Sequence, residues 1–151
     1  MFRGVNAINL DAKGRLAIPA RYRQRLQECC DNQLVITVDR DNCLLVYPLQ
    51  EWIEVEHKLS KLPSLNKQAR LLQRLVIGHA TECELDSHGR VLLPPMLRGF
   101  AKIDKHAVLI GQGNKFELWD EQAWNTLRDQ WLSEEQEGDI ELPPEMEHLS
   151  L

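Results

Sequence analysis

Long apolar runs are missing from this sequence of 151 residues. No stretch approaches the roughly 18 continuous apolar residues that a membrane helix requires. The first residues, M-F-R-G-V-N, also lack the apolar core of a secretion signal. We therefore expect neither a membrane protein nor a secreted one, and we predict a cytoplasmic location.

Paired metal-ligand spacing is also missing. The cysteines form no C-x-x-C pair, and we interpret them as reduced structural thiols. They are Cys29, Cys30, Cys43 and Cys83. His79 lies four residues before Cys83, but a structural zinc site needs four clustered ligands. We predict no metal site.

Catalytic motifs are absent as well. The G-Q-G of residues 111–113 lacks the Lys and Ser/Thr of a phosphate-binding loop, and no Ser or Cys lies in a nucleophile motif. The carboxylates fall on predicted turns, amphipathic helices or the C-terminal segment. We predict that the chain is not an enzyme and that it binds no cofactor or small-molecule substrate.

Positive charge is scarce overall, since the formal net charge is −5, but it is unevenly distributed. Residues 133–151 hold seven acidic residues and no Lys or Arg, so the preceding residues carry 18 basic against 16 acidic ones. Within residues 1–25, six basic residues are opposed by a single Asp. This end is a candidate phosphate-binding patch, and a solvated, arginine-rich helix start is the alternative.

An internal repeat organises the chain. Residues 9–15 read N-L-D-A-K-G-R and residues 84–90 read E-L-D-S-H-G-R, at an offset of 75. Further along, C-L-L-V-Y-P-L-Q-E-W ending at Trp52 corresponds to K-F-E-L-W-D-E-Q-A-W ending at Trp124, at an offset of 72. Matched glycine, proline, charged and aromatic positions in the same order indicate a duplication.

Each copy begins with the same predicted elements. In copy one, a strand at 5–10 enters a D-x-x-G turn, where Asp accepts from the backbone and Gly tolerates positive φ. The chain resumes as a strand at 16–18, which predicts a hairpin. Pro19 ends that strand because proline has no N–H for a ladder. Copy two repeats this order 75 residues later.

Helices and a second hairpin complete each copy. Short helices are predicted at 21–26 and 96–100, and hairpins at 34–38 with 44–47 and at 107–110 with 116–119. Closing helices carry apolar faces that include Trp52 and Trp124. An additional helix is predicted from a Ser64 cap to about Ile77. Its apolar side would carry Leu65, Ala69, Leu72 and Val76.

The predicted organisation therefore has five parts. They are a first unit at 5–52, connecting helices at 53–79, a second unit at 80–124, the end of a closing helix at 125–132, and an acidic, partly disordered tail at 133–151.

The doubled string L-D-x-x-G-R-[LV]-x-[IL]-P resembles the signature of the MraZ family, within the AbrB/SpoVT superfamily of swapped-hairpin DNA-binding domains. The resemblance extends to M-F-R-G at the start, Y-P-L-x-E-W at 47–52, G-H-A-x-E-C at 78–83 and N-K-F-E-L-W at 114–119. It thus covers nearly the whole chain.

The resemblance implies an α+β fold that is mainly β. Two tandem AbrB-like swapped-hairpin units would form a pseudo-symmetric β-barrel core flanked by amphipathic helices. It also implies a nucleoid-associated transcriptional regulator, usually a repressor, that binds direct repeats of double-stranded DNA in the promoter of its own division and cell-wall operon. Homo-oligomeric rings of about eight to twelve subunits are implied, which accords with the closed symmetry of most soluble oligomers.

The resemblance also implies that the D-x-x-x-R loops contact DNA. The contacting residues would then be Lys13, Arg15 and Arg90, since an arginine beside a rigid turn suits guanine or phosphate. A carboxylate would repel phosphate, so we expect the remaining motif residues to organise the loops. They are Asp11, Gly14, Asp86 and Gly89. Further phosphate contacts are predicted from Arg3, Arg21 and Arg23.

The two copies are not expected to contribute equally. His88 replaces Lys13 in copy two, and histidine carries less positive charge at neutral pH.

Two alternatives to DNA contact stay open. Each Asp–Arg pair could be purely structural, or the protein could be a ring-forming interaction protein or an antitoxin-like partner-binding module.

Overall fold

The computed structural model describes residues 1–137, 143–146 and 149. Eight strands are described, all in the compact unit of residues 1–121. They are β1 (Phe2–Asn9), β2 (Arg15–Ala17), β3 (Gln33–Val38), β4 (Leu44–Pro48), β5 (Thr81–Glu84), β6 (Arg90–Leu92), β7 (His106–Gly113) and β8 (Phe116–Asp120). The helices are α1 (Ala20–Cys30), α2 (Leu49–Ser60), α3 (Lys67–Leu72), α4 (Pro95–Phe100) and α5 (Glu121–Glu137). A π-helical turn (Gln73–Ile77) follows α3, and a 3₁₀ turn spans Pro144–Met146.

The predicted α+β fold is confirmed, and the strands of the two copies are interlocked. Six strands form an antiparallel sheet in the order β1-β7-β8-β4-β3-β5, and β2 pairs with β6 as a separate ribbon. The first strand of each copy pairs with the third strand of the other copy, as β1 with β7 and β5 with β3. Neither copy can therefore complete its own sheet without the other.

The strand registers show that a pseudo-two-fold axis relates the two copies. In the ribbon, Leu16 pairs with Val91, its own counterpart at the offset of 75. In the sheet, Leu45 pairs with Glu117, its own counterpart at the offset of 72. A residue pairs with its own equivalent only on a two-fold axis, so the duplicated chain has the internal symmetry of a dimer.

The core lies between the copies. Phe116 is fully buried, its ring centroid 4.4 Å from that of Phe2 and 5.0 Å from that of Tyr22. A second cluster joins Tyr47 and Trp52 to the residues that follow α2. Full burial of one large apolar side chain contributes about 1.5–3 kcal/mol, so this shared core stabilises the exchanged strands.

The four cysteines are free, and all lie at least partly buried. Cys30 lies in this core, Cys29 and Cys83 pack against it, and Cys43 is fully buried. Burial raises the pKa of the Cys30 and Cys83 thiols to about 11, and it also raises the pKa of Cys43. Buried protonated thiols are poor nucleophiles and poor metal ligands.

Several local predictions are wrong. The strands on either side of the first turn do not form a paired hairpin, because a single bridge, Leu10 to Leu16, joins them and β2 pairs with β6 instead. Ser64 is not the cap of α3, since the Asn66 side chain accepts from the Ala69 backbone N–H at 3.0 Å. Leu65 therefore precedes the helix and is 94% exposed, outside the predicted apolar face.

Two other helices run longer than predicted. Helix α1 continues to Cys30, and α5 continues to Glu137, five residues into the segment predicted to be an acidic tail. Most of the other residues of that segment lie outside the described residues. None of the helices that the structure describes is both long enough and apolar enough to cross a membrane.

The buried hydroxyl of Thr37 on β3 donates to the carbonyl of Val76 in the π-helical turn. Replacing Thr37 with valine keeps the shape and removes the donor, so we expect the free energy of unfolding to fall by about 1–3 kcal/mol in urea titrations. Thr81→Val is the control, because the Thr81 hydroxyl is only partly buried and water can replace its bond to His79. Equal stability of Thr37→Val and the parent protein would contradict this prediction.

Candidate nucleic-acid interface

The first D-x-x-x-R turn is organised by the Asp11 carboxylate. Oδ1 accepts the backbone N–H groups of Lys13 and Arg15, each at 2.9 Å. Oδ2 accepts the side-chain Nε–H of Arg15 at 2.8 Å. The backbone closes the same turn, since Gly14 N–H donates to the Asp11 carbonyl at 3.0 Å. One carboxylate thus fixes both the turn and the direction of the guanidinium group.

The second turn repeats this geometry. Asp86 Oδ1 accepts from the backbone N–H groups of His88 at 2.8 Å and Arg90 at 2.9 Å, and Oδ2 lies 3.3 Å from Arg90 Nε. Arg90 Nη1 also lies 4.0 Å from Asp11 Oδ2, so the two turns are neighbours across the pseudo-two-fold axis. The spacing D-x-x-x-R is required because Asp must reach residues two and four positions ahead.

The hydrogen bonds lower the pKa of both carboxyl groups. For Asp11 the largest cause is the backbone N–H of Arg15, and for Asp86 it is the backbone N–H of Arg90, with partial desolvation opposing the shift in each. Both groups are therefore ionised at neutral pH, and each offsets part of the charge of its arginine.

The β2–β6 ribbon carries both arginines on one face. Leu16 and Val91 point inward and are buried, so the alternate residues of each strand point outward. The outward residues are Arg15 and Ala17 on β2, and Arg90 and Leu92 on β6. The side chains of Arg15 and Arg90 are 29% and 34% exposed.

Each turn is tied to the other copy. Ile18 N–H donates to the Gly89 carbonyl at 2.9 Å, and Leu93 N–H donates to the Gly14 carbonyl at 3.0 Å. Because Ile18 and Leu93 are equivalent at the offset of 75, these two bonds are related by the pseudo-two-fold axis. The ribbon and both turns therefore form one cross-linked unit.

Arg23 has a structural role that the sequence analysis missed. Its Nε–H donates to the Ile18 carbonyl at 2.7 Å, and a Cβ at Gly89 would lie only 2.2 Å from this nitrogen. Its repeat equivalent Arg98 likewise lies against the turn glycine of the other copy, its Nη1 3.2 Å from where a Cβ at Gly14 would lie. Its Nε–H donates to the Ile103 carbonyl, five residues after it, whereas Arg23 donates to a carbonyl five residues before it. The matched Arg23/Arg98 pair was the signal, since a duplicated arginine outside the D-x-x-x-R motif indicates a shared structural contact. DNA contact by Arg23 stays a prediction.

Arg3 and Arg21 form a separate group at the junction of β1 and α1. The Arg21 guanidinium lies 4.8 Å from the Tyr22 ring centroid and donates to the Asn6 side chain. The Tyr22 hydroxyl donates to the carbonyl of Arg3. Among the described residues, no hydrogen bond or ion pair joins this group to the D-x-x-x-R turns. The predicted contacts thus divide into a turn set and a strand–helix set, and their DNA contacts stay predictions.

One three-residue group of potential metal ligands occurs among the described residues, namely Asp39, Cys43 and Glu117. The Cys43 thiol donates to Asp39 at 3.7 Å, and the Trp119 indole donates to Glu117 at 2.9 Å. Burial, together with the nearby carboxylates, raises the pKa of Cys43 and keeps the thiol protonated. Hydrogen bonding accounts for this group, and nothing further in it indicates a metal.

Comparison with known proteins matches both copies to one family. The family model described as "MraZ protein, putative antitoxin-like" matches residues 1–75 and again residues 76–140. The chain is 60% identical to the transcriptional regulator MraZ of Thioalkalivibrio sulfidiphilus over 151 residues, covering all of both chains. It is 59% identical to that of Methylococcus capsulatus, over 99% of both chains, and 53% identical to that of a Legionella pneumophila strain, over all of both.

The chain belongs to the MraZ family. The resemblance seen in the repeated motif is thereby confirmed, as are its two tandem copies. The MraZ relatives are named as transcriptional regulators and not as enzymes, which supports a role in regulating transcription.

The glycines of the two turns should differ in their tolerance of alanine. Both have positive φ, at +82° for Gly14 and +73° for Gly89, so alanine costs about 1–2 kcal/mol of backbone strain at either. Gly89→Ala also displaces the Arg23 side chain, whose bond to Ile18 adds about 1.5–3 kcal/mol. Urea unfolding should therefore give a larger loss for Gly89→Ala than for Gly14→Ala.

Gly99→Ala is the matched control, because Gly99 is helical and, apart from its chain neighbours and the backbone of its own helix, no atom of the described residues lies within 4 Å of an added Cβ. It should lose no stability. A Gly14→Ala protein less stable than Gly89→Ala would contradict the role assigned to Arg23.

The ionised Asp11 and Asp86 should stabilise the turns in a pH-dependent way. Since both pKa values are lowered from 3.8 in the folded protein, the stabilisation is complete above pH 3.8 and is lost as the pH falls through the lowered values. Carboxyl-carbon NMR titration should find both midpoints below 3.8. In Arg15→Ala the pKa of Asp11 should stay lowered, because the backbone N–H of residue 15 remains. Its return to 3.8 would show that the side-chain pair dominates instead.

Proposed function

We propose that the protein regulates transcription by binding double-stranded DNA through the outer face of the β2–β6 ribbon. The observation that carries this proposal is the placement of Arg15 and Arg90 on that face, each held through Nε by an aspartate of its own turn. A two-stranded ribbon fits the DNA major groove, where arginine binds the O6 and N7 acceptors of guanine.

The hydrogen bond from each arginine to the aspartate of its turn favours recognition of bases over nonspecific attraction to phosphate. Arg15 is engaged through Nε, and among the described residues its terminal nitrogens make no hydrogen bond. These nitrogens are left to bind an acceptor pair such as the guanine edge. Because Asp11 offsets part of the positive charge, nonspecific binding by this arginine is weakened while its geometry is kept.

Copy one contributes more of the binding than copy two in this proposal. Lys13 lies at the tip of the first turn where His88 lies at the tip of the second, and both side chains are exposed. Phosphate contacts by Lys13, Arg3, Arg21 and the free edge of Arg23 would position the ribbon without reading sequence. The local excess of positive charge in residues 1–25 favours this even though the net charge is −5.

Family membership supports the wider function. The protein would bind direct repeats in the promoter of its own division and cell-wall operon as a repressor, in the cytoplasm and associated with the nucleoid. A homo-oligomeric ring of about eight to twelve copies makes later contacts intramolecular, which raises avidity by roughly 10²–10⁴. Repeated heads on the ring would then match repeated sites on DNA.

Binding to labelled DNA from the region upstream of the protein's own operon tests the proposal, with scrambled DNA alongside, by anisotropy at about 50 and 200 mM salt. Loss of one bidentate guanine contact costs about 1–3 kcal/mol, so Arg15→Ala should bind the upstream DNA markedly less tightly. Arg90→Ala should weaken it less, because copy two carries less of the binding.

Arg40→Ala provides the control, since Arg40 is exposed on the β3–β4 turn and its loss removes the same charge. It should leave sequence selectivity unchanged, and all variants should keep the oligomer size of the parent. Equal, weak binding to both DNAs, unaffected by Arg15→Ala, would reject the proposal. It would favour the alternative interaction or antitoxin-like role, in which the D-x-x-x-R turns are structural.

A further inference from the structure

Leu92 is an exposed apolar residue on the outer face of the ribbon, at one end of the β2–β6 pairing. It is 56% exposed, whereas Val91 and Leu93 on either side of it are 2% exposed. It lies directly opposite Arg15 in the β2–β6 register, so the two side chains are cross-strand neighbours on the outer face. Because successive side chains of a strand point to opposite faces, Leu92 points outward although both of its chain neighbours point into the core.

The pseudo-two-fold axis makes this leucine a point of asymmetry. Its repeat equivalent is Ala17, which lies opposite Arg90. The face therefore presents Arg15 beside a leucine at one end, and Arg90 beside an alanine at the other. The backbone pairing of the ribbon is symmetric, but most of the exposed apolar surface lies at the Leu92 end.

We propose that Leu92 contacts the 5-methyl group of a thymine next to the guanine bound by Arg15. This inference rests on the proposed DNA binding and adds a second base to it. In the major groove, thymine is the base that presents a methyl group, and apolar side chains contact it. Cross-strand Cβ atoms lie about 4.5–5.5 Å apart, which corresponds to one or two base steps of about 3.4 Å.

Charge on the ribbon face favours DNA over a protein partner as the occupant. Arg15 is the cross-strand neighbour of Leu92, and Arg90 is two residues away on the same strand and the same face. Both arginines are held in fixed directions by carboxylates. An apolar protein surface covering Leu92 would have to desolvate both ion pairs, whereas the major groove supplies acceptors for the arginines beside the methyl group.

The contact gives the ribbon a direction on DNA. A face with full two-fold symmetry would bind either orientation of a half-site equally well. With leucine at one end and alanine at the other, the methyl contact forms in one orientation only. Each ribbon would then read a site with polarity, as direct repeats require.

Replacement of single thymines by deoxyuridine tests the contact, because it removes the 5-methyl group and leaves base pairing intact. The upstream DNA is substituted at one thymine at a time, and affinity is measured for the parent protein, Leu92→Ala and Leu65→Ala. Burial of one methyl group corresponds to about a fourfold change in affinity. The parent protein should lose about that factor at one thymine position of a repeat.

Leu92→Ala should bind thymine and deoxyuridine DNA equally well at that position. Leu65→Ala makes the same chemical change at a residue that is 94% exposed and outside the ribbon, and it should discriminate like the parent. The scan with the parent protein needs no variant, so it stands even where Leu92→Ala is poorly folded.

Selective binding to the upstream DNA with no response to any deoxyuridine would overturn the inference and leave the proposed function intact. The same holds for a Leu92→Ala protein that keeps the full discrimination. Absence of selective binding by the parent protein would reject the proposed function itself.

Discussion

The antiparallel pairing of β2 with β6 is the interaction on which the candidate interface depends. It consists of three residue pairs centred on Leu16 and Val91, and it joins two segments 75 positions apart in the chain. Without it, the Gly14 and Gly89 carbonyls would lose their partners in the other copy, and the two arginines would no longer share a face. The buried inner side of the ribbon belongs to the shared core, so the pairing is coupled to the stability of the whole unit.

Duplication within one chain allows the two halves to carry different side chains, which a dimer of identical chains cannot do. The backbone keeps the two-fold registers at Leu16–Val91 and Leu45–Glu117, while the side chains at equivalent positions are free to differ. They differ where the ribbon and its turns meet solvent, with Lys13 in one copy and His88 in the other. A symmetric frame with an asymmetric surface suits recognition of sites that have a direction.

Local patterns in the sequence predicted the elements well and their pairing poorly. The D-x-x-G turns, the second hairpins and the apolar faces of α2 follow from short-range chemistry, and the structure contains all three. The exchange of strands between copies is a long-range choice that alternation alone cannot select, and the resemblance to swapped-hairpin domains was needed to anticipate it. The cap of α3 is Asn66, whereas Ser64 was predicted. Both residue types are good N-caps and they lie two positions apart, so capping preference alone could not distinguish them.

The site was predicted unevenly for a similar reason. The roles of Asp11 and Asp86 as turn organisers could be inferred from spacing, since their bonds reach only four residues ahead. The contact of Arg23 with the Gly89 turn crosses between copies and has no local signature. The exposure of Leu92 was missed because a leucine between two apolar residues is typical of a buried strand.

Methylation interference on the upstream DNA tests the central claim most directly. Dimethyl sulfate modifies guanine N7 in the major groove and adenine N3 in the minor groove, and these positions distinguish the two grooves. A ribbon that reads guanine through Arg15 and Arg90 should be blocked by methylation at N7 of particular guanines, and one of those positions should become insensitive in Arg15→Ala. Interference at adenine N3 alone, or the same guanine pattern in the parent protein and Arg15→Ala, would contradict the account.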